Sequence, residues 1–119
     1  MLQGYVNAHG EPIVRLSLIL YSRAVKVSAV IDTSFNGYLS VPRRFAQRSG
    51  WLYFGKEDFE IATGESVAQS IYVGQIIFNR VRLMVYAVVT DSKDVLIGTR
   101  LLEHDILAIN FRTKRVTIR

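Results

Sequence analysis

One short segment most constrains what this chain can fold into: an apolar run that leads to a single carboxylate. Val27–Ile31 has the composition of a buried strand, and Asp32–Ser34 follows it directly. The turn residues of Phe35–Gly37 come next, and a second apolar run spans Tyr38–Val41. A carboxylate behind a buried strand is unfavourable unless it is paired, hydrogen-bonded or neutral. The residue types leave two interpretations open, a reactive carboxylate and a turn residue that caps local backbone amides.

A second motif lies far along the chain. Leu96, Ile97 and Gly98 close a short apolar run that starts at Val95, and Thr99–His104 has a helix-like composition. We expect the apolar run to be a buried strand. Glycine at its end would allow the strand that carries the carboxylate to pass closely.

The rest of the chain alternates short strand patterns with turn residues, which predicts one compact, mainly β domain over residues 1–119. The predicted strands are Leu2–Asn7, Pro12–Leu20, Val25–Ile31, Tyr38–Val41, Trp51–Phe54, Phe59–Thr63, Val67–Val73, Gln75–Phe78, Val81–Val89, Val95–Gly98, Ile106–Phe111 and Val116–Ile118. Two short helices are predicted, one over Pro42–Arg48 that Gly50 closes and one over Thr99–His104.

Composition excludes several kinds of site. The chain has no cysteine and only two histidines, which excludes disulfides and thiolate nucleophiles and leaves little material for a Ser-His-Asp triad. No acidic cluster has the spacing of an oxygen-ligand metal site, so we expect neither metal nor cofactor. No apolar run approaches the about 18 residues of a membrane helix. Met1–Asn7 has neither a basic start nor an apolar signal core, so we expect a cytoplasmic protein without membrane contact.

The net charge of +5 hints only weakly at acidic partners. The basic side chains fall mainly into two groups, Arg43, Arg44 and Arg48 in one and Arg112, Lys114, Arg115 and Arg119 in the other. The second group alternates with apolar residues, which is typical of the solvent face of a strand. A nucleic-acid footprint more often shows a longer basic stripe with exposed aromatic residues, so we expect no nucleic-acid partner.

Together, the apolar strand with Asp-Thr-Ser, the apolar-apolar-glycine strand and the short helix after it resemble the retropepsin-like aspartic proteases. The likeness is strongest to the small single-lobe bacterial members, and the order of elements extends it over about Gly4–Ile118. It implies an all-β fold with two short helices, the closed β-barrel of the retropepsin-like acid protease fold, with one lobe per chain. The early helix at Pro42 departs from the smallest viral enzymes and is similar to the bacterial relatives.

The resemblance implies a homodimer, because the chain has one Asp-Thr-Ser and no second lobe. Each copy would contribute Asp32 to a pair of carboxylates that shares one proton and activates a water. The resemblance also implies that the Thr33 hydroxyl spans the dimer axis. Ser34 occupies the position that is most often glycine, so its hydroxymethyl group must fit where chain and substrate approach closely. Leu2–Val6 and Val116–Ile118 are expected to form a sheet between the subunits.

A flap is expected over Ile61–Tyr72, a two-stranded arm that closes over a bound peptide. Its tip residues would be Ala62, Thr63, Gly64 and Glu65. The same pattern is also compatible with an ordinary exposed hairpin.

Three functional interpretations follow from the sequence. The first is a homodimeric aspartic endopeptidase that hydrolyses extended peptides or unfolded protein segments. The second is a non-catalytic peptide- or protein-binding module on the same fold, in which Asp32 is structural. The third is a basic β-barrel that binds nucleic acid.

Overall fold

Strands account for 59% of the chain in the computed structural model, which describes residues 1–119. In chain order they are β1 (Leu2–Val6), β2 (Pro12–Leu20), β3 (Arg23–Ile31), β4 (Leu39–Pro42), β5 (Leu52–Glu60), β6 (Ser66–Phe78), β7 (Val81–Thr90), β8 (Val95–Ile97), β9 (Leu107–Asn110) and β10 (Arg115–Ile118). One α-helix, α1 (Arg43–Gln47), follows β4, and one 3₁₀ turn, Thr99–Leu102, follows β8.

Six of the strands close into a barrel. The strand order in the sheet is β5-β6-β7-β4-β8-β3-β2-β1-β10-β9. Strand β6 also pairs with β2, and this pairing closes the six strands β6, β7, β4, β8, β3 and β2 into the barrel. Strand β5 extends this sheet beyond β6, and β1, β10 and β9 extend it beyond β2. The barrel therefore carries two extensions, a long hairpin on one side and the terminal strands on the other.

Alternation along the strands fills the barrel interior. In β7, Val85, Ala87 and Val89 are buried, whereas Met84 and Tyr86 are exposed, as a period of two residues requires. Large side chains that are almost completely buried contribute to the same core from five strands, β2, β4, β6, β8 and β10: Val14, Leu18, Leu39, Val41, Ile76, Ile97, Val116 and Ile118. Each buried side chain of this size contributes about 1.5–3 kcal/mol.

Two of the predicted strand boundaries are wrong, because β5 and β6 each run without interruption where the sequence predicts two shorter strands. In β5, Gly55 adopts a φ of +136° at a β-bulge, and the strand continues past it. In β6, Gly74 lies against the indole ring of Trp51, where a Cβ would come within 2.4 Å of a ring carbon. Trp51 donates its Nε1–H to the Ile19 carbonyl at 2.7 Å. These glycines accommodate a bulge and a close contact, and they do not end strands.

Both helical segments are shorter than predicted. Helix α1 begins at Arg43, with Pro42 at its N-cap, and Gly50 adopts the expected positive φ of +69° just beyond it. The second segment is a single 3₁₀ turn in which the Leu101 amide donates to the Gly98 carbonyl, three residues back.

The terminal strands pair with each other within the chain, and the expected sheet between subunits stays a prediction. Leu2 lies opposite Ile118 and Tyr5 opposite Arg115 in an antiparallel ladder between β1 and β10. Val116 and Ile118 are completely buried in the core of the same chain. The alternating pattern of β10 therefore reflects packing against its own barrel.

Candidate active site

Two parallel strands bring the Asp-Thr-Ser turn and the apolar-apolar-glycine motif to the same end of the barrel. Strands β3 and β8 pair in parallel, with Ile31 opposite Ile97. The segments that follow the two strands therefore leave the sheet at the same end. The Asp32 amide continues this ladder and donates to the Ile97 carbonyl at 2.9 Å. Ile97 is completely buried, while Leu96 is half-buried. The motif thus forms the floor beneath Asp32.

Ser34 holds the carboxylate of Asp32 within a tight turn. The Ser34 amide donates to Asp32 Oδ1 at 3.0 Å, and the Ser34 hydroxyl donates to the same oxygen at 2.5 Å. The Asp32 carbonyl accepts the Phe35 amide at 3.1 Å, which closes the turn. Asp32 is half-buried and Thr33 is exposed, and Oδ2 accepts no hydrogen bond within the chain. One carboxylate oxygen is therefore fixed, and the other is available to a further group.

The loop after Asp32 is braced by the segment after β8. The amides of Gly98, Thr99 and Arg100 donate to the carbonyls of Tyr38, Phe35 and Gly37 at 3.1, 2.9 and 3.1 Å. A Cβ on Gly98 would come within 2.0 Å of the Gly37 carbonyl oxygen and 2.7 Å of the Phe35 ring. The close passage expected at Gly98 exists, but it is made by the loop that follows Asp32 and not by β3 itself.

The predicted arm is the hairpin of β5 and β6. Phe59 lies opposite Val67 and Glu60 opposite Ser66, and the connecting turn is closed by the Ile61 amide, which donates to the Glu65 carbonyl at 2.9 Å. Gly64 adopts a φ of +85° in this turn. The predicted tip residues Ala62, Thr63, Gly64 and Glu65 are all exposed. The hairpin is present, with its tip where the sequence predicts it.

A cleft of about 820 Å³ lies between the loop after Asp32 and strand β5. Its lining residues are Ser34, Phe35, Asn36, Gly37, Tyr38, Phe54, Gly55, Lys56, Glu57, Phe59, Glu60, Ile71, Tyr86, Val88 and Arg100. Asp32 and the four tip residues of the hairpin do not line it. The cleft therefore starts beside the carboxylate, at Ser34, and continues away from it beneath the arm.

Aromatic rings form one wall of the cleft, a feature that the sequence patterns did not predict. The Tyr86 ring lies 5.0 Å from Phe54 and 6.5 Å from Tyr38, measured between centroids. The Arg100 guanidinium lies 5.8 Å from the Tyr38 centroid. The available signal was the strand pattern of β7, in which Met84 and Tyr86 fall on the face opposite the core. Large exposed apolar side chains indicate a contact surface where they form a contiguous patch.

The structure contains no group of three or more His, Cys, Asp or Glu side chains with a geometry that could hold a metal ion. None of its helices has the length and hydropathy needed to cross a membrane.

Comparisons with known proteins establish the fold. No protein-family model matches the sequence, and no curated protein matches it. A retropepsin-like aspartic protease from Rickettsia conorii is similar in structure, with a TM-score of 0.69 at 16% identity, over 98% of this chain and 88% of that one. The EIAV protease, solved with the inhibitor HBY-793, gives a TM-score of 0.65 at 11% identity, over 82% of this chain and 89% of that one. The chain therefore has the retropepsin-like all-β barrel, and the predicted fold class is confirmed.

Proposed function

We propose that two copies of this chain, which has a retropepsin-like fold, form an aspartic endopeptidase. The observation that carries the proposal is the position of Asp32 at the end of a buried strand, in a braced turn, with Oδ1 held by Ser34 and Oδ2 unoccupied. The structural neighbours with this barrel are aspartic proteases, which supports the same chemistry here.

The chemistry requires two carboxylates at close range. Like charges about 3 Å apart cannot both ionise, so such a pair keeps one proton. The ionised member removes a proton from the attacking water, and the protonated member donates to the carbonyl oxygen of the peptide. The chain provides one aspartate in this setting, whereas Asp91 is exposed and paired with Arg43 at 3.1 Å. A second copy of Asp32 therefore completes the proposed site.

Thr33 and Ser34 have separate roles in this proposal. Thr33 is exposed beside the carboxylate, where its hydroxyl is available to the loop of the second copy. Ser34 fits without displacing Asp32, since its hydroxyl binds the carboxylate. Ser34 is thus a positioning residue that keeps Asp32 Oδ1 turned toward its own loop.

We expect Ser34→Ala to lower kcat/KM about tenfold or more, mainly through kcat. A hydrogen bond to a charged group contributes about 1.5–3 kcal/mol, and tenfold in rate corresponds to about 1.4 kcal/mol. The measurement is steady-state cleavage of a peptide substrate by the parent and the variant. Ser34→Thr retains the hydroxyl and is expected to restore most of the activity. Equal kcat values in Ser34→Ala and the parent would mean that the hydroxyl does not position Asp32.

The cleft beside the site is proposed to bind a substrate side chain. Its aromatic wall favours a large apolar or aromatic group, because offset or edge-to-face ring pairs add about 0.5–1.5 kcal/mol beyond area burial. Its charged residues balance, with Lys56 and Arg100 against Glu57 and Glu60. The hairpin of β5 and β6 covers the peptide in this proposal and acts as the flap.

We expect Tyr86→Ala to lower kcat/KM about tenfold for peptides with an aromatic residue near the cleaved bond, and much less for peptides without one. The loss follows from removal of the ring that contacts both Phe54 and Tyr38. Cleavage of a peptide library, read by mass spectrometry, measures the change in preference. Met84→Ala is the matched control, since Met84 lies on the same face of β7 but does not line the cleft. An unchanged cleavage profile in Tyr86→Ala would refute this assignment.

A further inference from the structure

The outer surface of four neighbouring barrel strands, β3, β2, β6 and β7, carries a row of side chains with basic residues at both ends. Ser17 of β2 lies opposite Lys26 of β3 and, on its other side, opposite Ile77 of β6. Ile77 in turn lies opposite Arg82 of β7. Leu18, the residue after Ser17, is completely buried in the core, so the row points away from the core. Three spacings between strands separate its ends, which is about 14 Å.

Two further basic residues lie beside this row. Arg15 is on the same face of β2 as Ser17, and it is a diagonal neighbour of Lys26 because it lies opposite Ser28. Arg80 lies in the turn between β6 and β7. Strand β2 runs antiparallel to β6, so the turn is on the side of the row where Arg15 lies. All four basic side chains are exposed, and together Arg15, Lys26, Arg80 and Arg82 are called the basic face.

The basic face has no acidic partner within the chain. All ten acidic residues lie outside strands β2, β3, β6 and β7. The salt bridges of the molecule are elsewhere, between Arg43 and Asp91 and between His104 and Glu103. Arg82 donates a hydrogen bond at 3.2 Å to Gln75 Oε1, which is a neutral acceptor. Four positive charges are therefore left uncompensated on one surface, and their summed field attracts anions.

Exposed apolar side chains continue the same surface along β7. Met84 follows Arg82 on the outer side of this strand, lies opposite Gln75 and is 65% exposed. Tyr86, the next residue on that side, is 47% exposed. None of the four basic residues lines the cleft of about 820 Å³. The basic face is thus an open surface with an apolar side chain at its border, and it is separate from the cleft.

We propose that the basic face binds the surface of a membrane that contains anionic lipids, with Met84 in contact with the headgroup region. Reversible attachment to a bilayer is made stable by two signals together, positive charge and an apolar group, and this surface has both. Single-stranded nucleic acid is usually bound by aromatic rings interleaved with the cations, and the row from Lys26 to Arg82 contains none. Charge complementarity without stacking groups therefore favours the lipid surface.

The fold creates this surface from distant parts of the chain. Arg15 and Lys26 come from the second and third strands, whereas Arg80 and Arg82 follow more than fifty residues later. The pairing of β6 with β2, which closes the barrel, brings the two groups together. The linear sequence, read strand by strand, does not indicate such a cluster.

Binding to vesicles tests the proposal. The full chain is expected to co-sediment with vesicles of phosphatidylcholine that contain about 30% phosphatidylserine, and not with vesicles of phosphatidylcholine alone. The triple variant Arg15→Gln, Lys26→Gln, Arg82→Gln is expected to lower the partition coefficient about 100-fold, since each basic residue near an anionic surface contributes about fivefold. Circular dichroism verifies that the variant is folded.

The matched control removes the same number of charges from another surface. The triple variant Arg112→Gln, Lys114→Gln, Arg119→Gln changes exposed residues near the C-terminus and is expected to retain most of the binding. Met84→Gln, which keeps the charge and removes the apolar group, is expected to lower the partition coefficient about threefold or more. Raising the salt concentration to about 1 M is expected to release the parent, because the Debye length falls to about 3 Å.

Three results would overturn the inference. The first is equal binding of the parent to vesicles with and without phosphatidylserine. The second is an equal loss of binding in the two triple variants, which would make net charge the only cause. The third is binding to a single-stranded oligonucleotide that is tighter than binding to vesicles and is lost in the Arg15, Lys26, Arg82 variant, which would assign the face to nucleic acid. Vesicle binding does not require hydrolysis and can be measured with Asp32→Asn, so its outcome is separable from that of the protease proposal.

Discussion

Asp32→Asn is expected to abolish peptide hydrolysis and to leave the barrel folded. Asparagine retains the shape of the side chain and an oxygen that accepts the two Ser34 hydrogen bonds. Its amide cannot take a proton from water or return one to the peptide. General acid and base catalysis each contribute about 10²–10⁴-fold, so we expect a rate loss of at least about 10³-fold. Neutral amides do not repel each other, so the dimer is expected to be no weaker than that of the parent.

The measurement is digestion of a peptide mixture at mildly acidic pH, with products identified by mass spectrometry and a pepstatin-type inhibitor added in parallel. Asp91→Asn is the matched control, because the exposed pair of Asp91 with Arg43 contributes little to stability. Cleavage by Asp32→Asn at the parental rate would show that another group performs the reaction. If the parent binds peptides without cleaving them, and the Asp32→Asn variant binds them with the same affinity, the protein is a peptide-binding module.

Gly98→Ala is expected to destabilise the protein by at least about 3 kcal/mol and to lower its Tm on the order of 10 °C. The backbone φ of Gly98 is −92°, so the effect arises from space and not from conformation. The added methyl group would lie 2.0 Å from the Gly37 carbonyl oxygen, a backbone atom that a rotamer change cannot move. Relief of this overlap separates the two loops and lengthens the hydrogen bond from the Gly98 amide to the Tyr38 carbonyl.

Chemical denaturation and thermal melting measure the loss of stability, and peptide cleavage measures the displacement of the Asp32 loop. Gly10→Ala adds the same group in a turn where no atom lies within 4 Å, so only the strain of its positive φ, about 1 kcal/mol, is expected. If Gly98→Ala destabilised the protein no more than Gly10→Ala does, the contact of Gly98 with the loop after Asp32 would not determine the position of that loop.

The loop that carries Asp32 was predictable because its signals are local. An apolar strand, a turn residue with a short polar side chain and Gly37 before the second apolar run each have direct conformational consequences. Ser34 shows where this reasoning stops. The residue type alone suggests crowding at a position that is usually glycine, whereas the structure shows its hydroxyl bound to Asp32 Oδ1. The direction of one side chain depends on the turn geometry, which the sequence does not specify.

Pairing between strands that lie far apart in the chain was harder to predict from the sequence. The alternation in β10 indicates a half-buried strand, but it does not specify whether the strand pairs with β1 of the same chain or of another. The predicted gaps at residues 55–58 and at residue 74 are absent, because the structure uses Gly55 for a bulge and Gly74 for contact with Trp51. The aromatic wall of the cleft unites Tyr38, Phe54 and Tyr86 from three segments, and only the assembled barrel brings them together.

The position of Trp51 gives the molecule an intrinsic optical probe. It is the only tryptophan in the chain, and it lies where the β5–β6 arm leaves the barrel, against Gly74 and with its indole nitrogen bound to the Ile19 carbonyl. Any swing of the arm changes the surroundings of that ring. If the arm closes over a peptide as proposed, the fluorescence of Trp51 is expected to change during titration with a tryptophan-free peptide, without a dye or label.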